Sequence, residues 1–422
     1  MFIQKQINFN KKDSITKKRC VLCSSLDLQE AINFGSTPLA NSYPKYFNSR
    51  ERYFDLYCIL CKKCGHLQLG ELINPELMFS NYLYVSGTSK VLVDHFKKYS
   101  QKLIKKFNLN QNSSVLDIAC NDGTFLEFFK NEKFKKVVGV DPAKNLRKLN
   151  KQKKIDINTG YFSFDYSKKL KKKYKEFNII TANNVFAHSP NLQNFTQGVK
   201  NLLSKKGVFT MEVSYLMTVV EKKTFDTIYH EHMSYHALSP LIKFFKNFDL
   251  EVFDFELIEA QGGSIRIYVS HKKAKVINKK KIKKQIIKEK NKNLFNIKTY
   301  KNFYLEILEQ KKILRKIINK AKKEKSIIGY GAPAKLTTLS HMFDLNNDDI
   351  RIVVDDNKLK QNRYSPGKKF LIKNFNFLKK NKKKYNVIII LAWNFFDSIK
   401  KKCMNLKGNF VFIKPFPKPK IY

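Results

Sequence analysis

The chain has 422 residues, with 82 Lys and Arg against 35 Asp and Glu, a formal charge of +47, and 43% hydrophobic residues. Length and apolar content allow about two to four packed domains and exclude a wholly disordered chain. No run of about 18 apolar residues is present, and the N-terminal stretch MFIQKQINFNKKDSITKKRC has no apolar signal core, so a soluble, cytoplasmic protein with no membrane partner is expected.

The charge suggests nucleic acid as a competing partner, because phosphates reward a dense lysine surface through counterion release. Only eight of the 82 basic residues are Arg, however, the side chain suited to bidentate phosphate and base contacts. Lys, Asn, Ile and Phe are abundant together, as an AT-rich coding sequence would give. The lysines are spread along the chain, apart from runs such as KKKIKKQIIKEKNKN, and most fit solvated helix faces.

In chain order, residues 1–78 hold five of the seven cysteines and little periodicity, as in a small domain stapled by something other than a core. Cys20-x-x-Cys23 and Cys61-x-x-Cys64 have the spacing that places paired thiolates on neighbouring corners of a tetrahedron, which predicts a structural Zn(2+). Cys58 is a third thiol at knuckle spacing; Gly65 after the second pair favours Cys61 and Cys64 as the ligands. Disulfides are disfavoured in a cytoplasmic chain. Cys120 and Cys403 fall in α/β patterns and read as buried apolar residues.

Over residues 79–271 the strand-like runs SSVLDIA, KKVVGVD, FNIITANN and KGVFTMEVSYL alternate with amphipathic stretches, which predicts parallel strands with crossover helices. One or two long Lys-rich helices should follow from 272, and SIIGYGA, IRIVVDD and NVIIILAWN then form a second α/β unit up to 422. The expected fold class is therefore α/β: an N-terminal zinc-binding domain (1–78), a central Rossmann-like domain (79–271), and a helical linker with a C-terminal Rossmann-like domain (272–422).

The run VLDIACNDGTF leads from a strand through small residues into a helix, with Ala119, Asn121 and Gly123 where a dinucleotide fingerprint would carry glycines. It resembles motif I of the class I S-adenosylmethionine-dependent methyltransferases. The resemblance implies S-adenosyl-L-methionine as cofactor, with Asp117 at its amino-acid end and Gly123 permitting close approach. Asp141 of VVGVD would accept the ribose hydroxyls, and Asn183 lies at the fourth strand end.

FDTIYHEHMSYH gathers two tyrosines, two carboxylates and three of the eight histidines, and lacks the HExxH zincin spacing. An extended segment would put Tyr229 and Glu231 on one side and His230 and His232 on the other; a turn would regroup them. Together with STPLANSY, CKKCGHLQL, YLYVSGTS, GVDPAKN, NVFAH, GGSIRIY, GYGAPAK, KQNRYSPGK and ILAWNFFDSI, this segment makes the chain resemble the zinc-domain-bearing sugar C-methyltransferases that act on nucleotide-linked 4-ketosugars.

That resemblance implies C-methylation beside the ketone, at C3, of a deoxythymidine-diphosphate 4-keto sugar through an enolate. His232 would be the base, with Glu231 and Tyr229 positioning it or the sugar, and His188 and Tyr84 secondary contacts. Arg266, Lys335, Lys360 and Arg363 are candidate contacts to the substrate phosphates. Gln261 and Leu336 depart from the family pattern, which usually has His and Gly there. A nucleic-acid-binding zinc protein or RNA methyltransferase is the alternative function.

Overall fold

The computed structural model describes residues 9, 12–80, 82–147, 153–259 and 262–422; Gln261 lies outside them. Three larger sheets carry the architecture. In the N-terminal part, β2 (Leu28–Pro38), β3 (Tyr53–Cys61) and β4 (Leu67–Leu69) pair antiparallel. The sheet is extended at β4 by β11 (Ser234–Tyr235), which comes from the His-rich segment far along the chain. A two-stranded ribbon of β1 (Ser14–Thr16) and β5 (Glu71–Ile73) closes this region.

The central sheet contains β6 (Ser114–Ile118), β7 (Lys136–Asp141), β8 (Asp156–Thr159), β9 (Phe177–Asn183), β10 (Leu203–Ser214), β12 (Leu250–Ile258) and β13 (Ser264–His271), in the spatial order β12-β13-β10-β9-β6-β7-β8. Strands β8, β7, β6, β9 and β10 are parallel, while β13 runs antiparallel to both β10 and β12. Every residue of β6 is buried, as a strand covered by helices on both faces requires. The helix Lys90–Phe107, capped by the Ser89 hydroxyl, turns Leu92, Phe96, Tyr99 and Leu103 onto the sheet at spacings of three and four residues and ends at Asn108 in the left-handed region.

Two lysine-rich helices follow, Lys279–Asn291 and Ile297–Glu324. The second buries Tyr300, Phe303, Ile307, Leu314 and Ile318 along one stripe, leaving the lysines to solvent. The C-terminal sheet comprises β14 (Ile327–Tyr330), β15 (Ile352–Val354), β16 (Leu371–Lys373), β17 (Val387–Ile390), β18 (Val411–Lys414) and β19 (Lys420–Ile421) in the order β16-β15-β14-β17-β18-β19, parallel except at β19. Its order reverses between β14 and β17, and that of the central sheet between β6 and β9. Doubly wound folds bind ligands at such switch points.

Candidate active site and zinc-ligand cluster

The two switch points open on one cavity of about 940 Å³. Ala119, Asp141, Asn183 and Ser214, at or just beyond the carboxyl ends of β6, β7, β9 and β10, line it from the central sheet. Gly331, Asp355 and Ala392 line it from beyond β14, β15 and β17. Asn41 and Phe79 reach it from the N-terminal side.

The loop after β6 holds Ala119, Asn121 and Gly123 at φ of 57°, 54° and 74°. The Asn121 amide is thereby brought to Asp141, whose other oxygen accepts the Ala143 amide; both bonds are 2.8 Å. The Asn121 side chain clamps the neighbouring segment, accepting from the Ser86 amide and donating to the Tyr84 carbonyl. Burial raises the Asp141 pKa, against the two amide bonds. Asn183 lines the cavity, and its buried Oδ1 has no partner. An acceptor without a donor at the end of β9 and an anchored carboxylate at the end of β7, both on the wall of one cavity, suit a ligand that offers hydroxyl and amino donors, such as S-adenosylmethionine.

Asp117 and Gly123 stand elsewhere. Asp117 is buried within β6, accepts from Thr181 Oγ1 at 2.5 Å, and is pushed up to about 7 by burial. A side chain on Gly123 would meet Ile157 at 3.1 Å, so this glycine serves the turn and the packing behind it.

The FDTIYHEHMSYH segment runs from a single 3-10 turn at Phe225–Thr227 through a further turn at 229–231 into β11, and this regroups its side chains. Tyr229 and His232, three residues apart, line the cavity together, with ring centroids 4.2 Å apart. His230 faces Phe54, and His236 lies against His66 and Phe186. The Thr227 carbonyl lies 2.7 Å from His232 Nδ1. A carbonyl can only accept, so Nδ1 carries the proton and Nε2 presents its lone pair, here toward the Tyr229 hydroxyl at 3.0 Å. Burial, then the nearby His188, holds the His232 pKa well below its ordinary value. Burial, then Glu231, holds the Tyr229 hydroxyl protonated.

Glu231 does not orient His232, contrary to one of the two expectations for it. Its carboxylate accepts instead from Asn41 Nδ2 at 2.6 Å and from Tyr82 OH at 2.9 Å, and burial raises it to about 7. His188, stacked on Phe79 and pushed down to about 4 by burial, lies 5.0 Å from His232 between ring centroids; Tyr84 lines the same cavity.

Among the expected phosphate contacts, Lys335 and Lys360 line the cavity. Burial opposes the charge on Lys360, but Tyr43 and Asp355 outweigh it and raise the pKa; Nζ also donates to the Ala332 carbonyl at 2.8 Å. Arg266 is a correction. It points into the sheet, where Glu212 accepts from Nη2 at 2.7 Å and Glu256 from Nη1 at 3.3 Å, and it stacks on Tyr99. Arg363 donates to the Tyr43 carbonyl and is absent from the cavity wall.

Sequence reasoning missed Tyr82, Asn41 and His95. Tyr82 lies two residues from Tyr84 in YLYVSGTS, and Asn41 lies in STPLANSY, so both were within reach. His95, paired with Glu212 at 2.9 Å at the cavity edge, had no local signal.

In the N-terminal part, the thiols of Cys20, Cys23, Cys61 and Cys64 all lie within 4.8 Å of one another, with the Cys20–Cys64 and Cys23–Cys61 pairs at 3.6 and 3.5 Å. Tetrahedral zinc at about 2.3 Å from each sulfur separates its ligands by about 3.8 Å, so the residues fit the ion. Ser24 and Gly65, at φ of 61° and 78°, turn each knuckle and donate to the carbonyls of Cys20 and Cys61. Cys58 is fully buried outside this group.

Three family models match in order: a zinc binding domain over residues 20–79, a methyltransferase domain over 93–254, and a C-methyltransferase C-terminal domain over 259–417. The C-methyltransferase NovU of Streptomyces niveus is 27% identical over 408 residues, covering 95% of this chain and 96% of that protein. Solved structures overlap more narrowly. The PH0226 protein of Pyrococcus horikoshii OT3 is 16% identical and covers 47% of this chain and 98% of its own, at a TM-score of 0.36. A SAM-dependent methyltransferase of Anabaena variabilis ATCC 29413 is 15% identical and covers 42% and 84%, at 0.34. The fold class rests on the sheet order and the domain matches rather than on these overlaps.

A zinc-binding domain ahead of two doubly wound sheets that share one cavity defines a methyltransferase of the class that the domain models describe. The chain is an S-adenosylmethionine-dependent C-methyltransferase with a four-cysteine zinc-binding domain.

Proposed function

We propose that the enzyme methylates the carbon beside the ketone, C3, of a nucleotide-linked 4-keto-deoxysugar, with His232 as the base. The observation that carries this reading is the tautomer of His232: Nδ1–H is committed to Thr227, and the Nε2 lone pair faces the cavity beside the Tyr229 hydroxyl. S-adenosylmethionine, when bound, supplies an electrophilic methyl group. A carbon acid can meet it only after losing a proton, which a neutral imidazole can accept.

A base held so far below its ordinary pKa is weak, so donors to the enolate oxygen must carry much of the stabilisation. The Tyr229 hydroxyl, kept protonated by burial, can turn from Nε2 to that oxygen as Nε2 takes the proton. Tyr82, which lines the cavity and is held there by Glu231 behind it, is a second polar contact for the sugar hydroxyls, and Lys335 and Lys360 bring positive charge for the phosphates of a nucleotide, here a TDP-linked one. Asp141 and Asn183 hold the cofactor.

Mass spectrometry of the enzyme with S-adenosylmethionine and a panel of TDP- and GDP-linked 4-ketosugars tests the substrate. A 14-dalton gain (one methyl group replacing one hydrogen, about that mass) on one sugar, absent with His232→Ala although cofactor still binds, is the expected result. No gain on any member would remove the sugar assignment.

A further inference from the structure

The turn that carries His232 is gripped from the C-terminal domain at two points. Trp393, just beyond β17, donates from Nε1 to Asp226 Oδ2 at 2.5 Å. Thr338, in the helix Lys335–Met342, donates from Oγ1 to the Ile228 carbonyl at 2.7 Å. Both bonds are buried, with Asp226 and Thr338 fully shielded from solvent. Phe225, one residue earlier, packs its ring against Phe343 and Phe416 at centroid distances of 5.1 and 4.9 Å. Asp226 and Ile228 are the two neighbours of Thr227, whose carbonyl accepts from Nδ1–H of His232.

We propose that Trp393 and Thr338 are positioning residues: by fixing Asp226 and Ile228 they fix the Thr227 carbonyl between them, and with it the tautomer and orientation of His232. The inference rests on the reading of His232 as the base. A carbonyl flanked on both sides by anchored residues has little freedom, and a neutral imidazole takes its tautomer from the bond its other nitrogen makes. With the carbonyl displaced, Nε2 can hold the proton and present N–H where a lone pair is needed. The C-terminal domain thus acts on proton abstraction without supplying the base.

The full-length enzyme tests this with Thr338→Val, which removes the hydroxyl at constant shape, Thr338→Ser, which restores it, and Trp393→Phe, which removes the indole N–H. Long-range proton–nitrogen NMR of cofactor-free, 15N-histidine-labelled protein reads the His232 tautomer, its signal assigned by its loss in His232→Ala. Wild type and Thr338→Ser should show Nδ1–H alone. Thr338→Val and Trp393→Phe should show a mixture of tautomers, with kcat lower by roughly ten- to a hundredfold and KM for S-adenosylmethionine within about twofold.

An unchanged tautomer in both Thr338→Val and Trp393→Phe overturns the proposal, whether or not turnover falls, because a loss without a tautomer change is general destabilisation. If the wild type methylates no 4-ketosugar, the functional reading fails while the NMR result still decides the positioning role.

Discussion

At the scale of single residues, burial governs the chemistry here more than pairing does. Glu231 is raised from 4.5 to about 7 by burial, against hydrogen bonds from Asn41 and Tyr82. Its native state holds the proton more tightly than the unfolded chain, so the contribution is present below about pH 4.5 and is lost as pH rises toward 7. Cofactor-free Glu231→Gln should therefore match wild type in thermal stability at pH 4 and exceed it at pH 8, by at most about 3 kcal/mol. Equal melting curves at pH 8 would show that Glu231 ionises there without cost.

Arg266 gives the opposite case, a buried charge compensated by Glu212 and Glu256. Removing one member of such a set leaves an uncompensated charge, so Arg266→Met should destabilise by about 3–5 kcal/mol in denaturant unfolding while leaving the KM for the methyl acceptor unchanged. A raised KM with unaltered stability would return Arg266 to the substrate. The role of Arg266 was illegible locally because it depends on a strand pairing: Arg266 lies opposite Glu212 across β10 and β13. The histidine cluster, by contrast, announced itself by composition. Which member faced the cavity did not, since the turn, and not alternation, pairs Tyr229 with His232.

At the scale of elements, the zinc knuckles were legible because the chemistry is local: two thiolates, two intervening residues and a residue that tolerates the left-handed region. Gly65 adds a packing reason, since a Cβ there would lie 2.2 Å from the Phe295 ring. The placement of Cys58 outside the cluster yields a direct comparison. Cys61→Ser should purify without stoichiometric zinc and with the N-terminal sheet unfolded, whereas Cys58→Ser should keep one zinc per chain by elemental analysis and lose only about 1–3 kcal/mol for a buried hydroxyl without a partner. Zinc loss in Cys58→Ser alone would exchange the two assignments. The parallel strands were legible too, as continuous apolar runs. Strand β11 was not: a two-residue strand has no periodicity, and its partner β4 lies more than 160 positions away in the sequence.

At the scale of the whole molecule, that short strand couples the zinc-binding domain to the chemistry. β11 follows directly on the turn that carries His232, Asn41 from the same region holds Glu231, and the Tyr43 hydroxyl donates to the Ala332 carbonyl of the C-terminal domain at 2.6 Å. A chelator that strips the zinc should therefore abolish methyl transfer although the metal takes no chemical part, and cofactor binding should weaken far less. Retained turnover in metal-free enzyme would disconnect the two regions. Most lysines lie on exposed faces such as those of Lys279–Asn291 and Ile297–Glu324. A cavity walled by two sheets could be placed from sequence only as far as each sheet's own switch point, because nothing local specifies that the two open toward each other.

The central claim is that His232 removes a proton from carbon beside a ketone, a step separable from methyl transfer. The direct measurement is proton NMR of the substrate 4-ketosugar in deuterated water with enzyme and S-adenosylhomocysteine, so that exchange proceeds and methylation cannot. Loss of the C3 proton signal with wild type and its persistence with His232→Ala is the predicted result. Equal exchange by both proteins would contradict the assignment of His232 as the base.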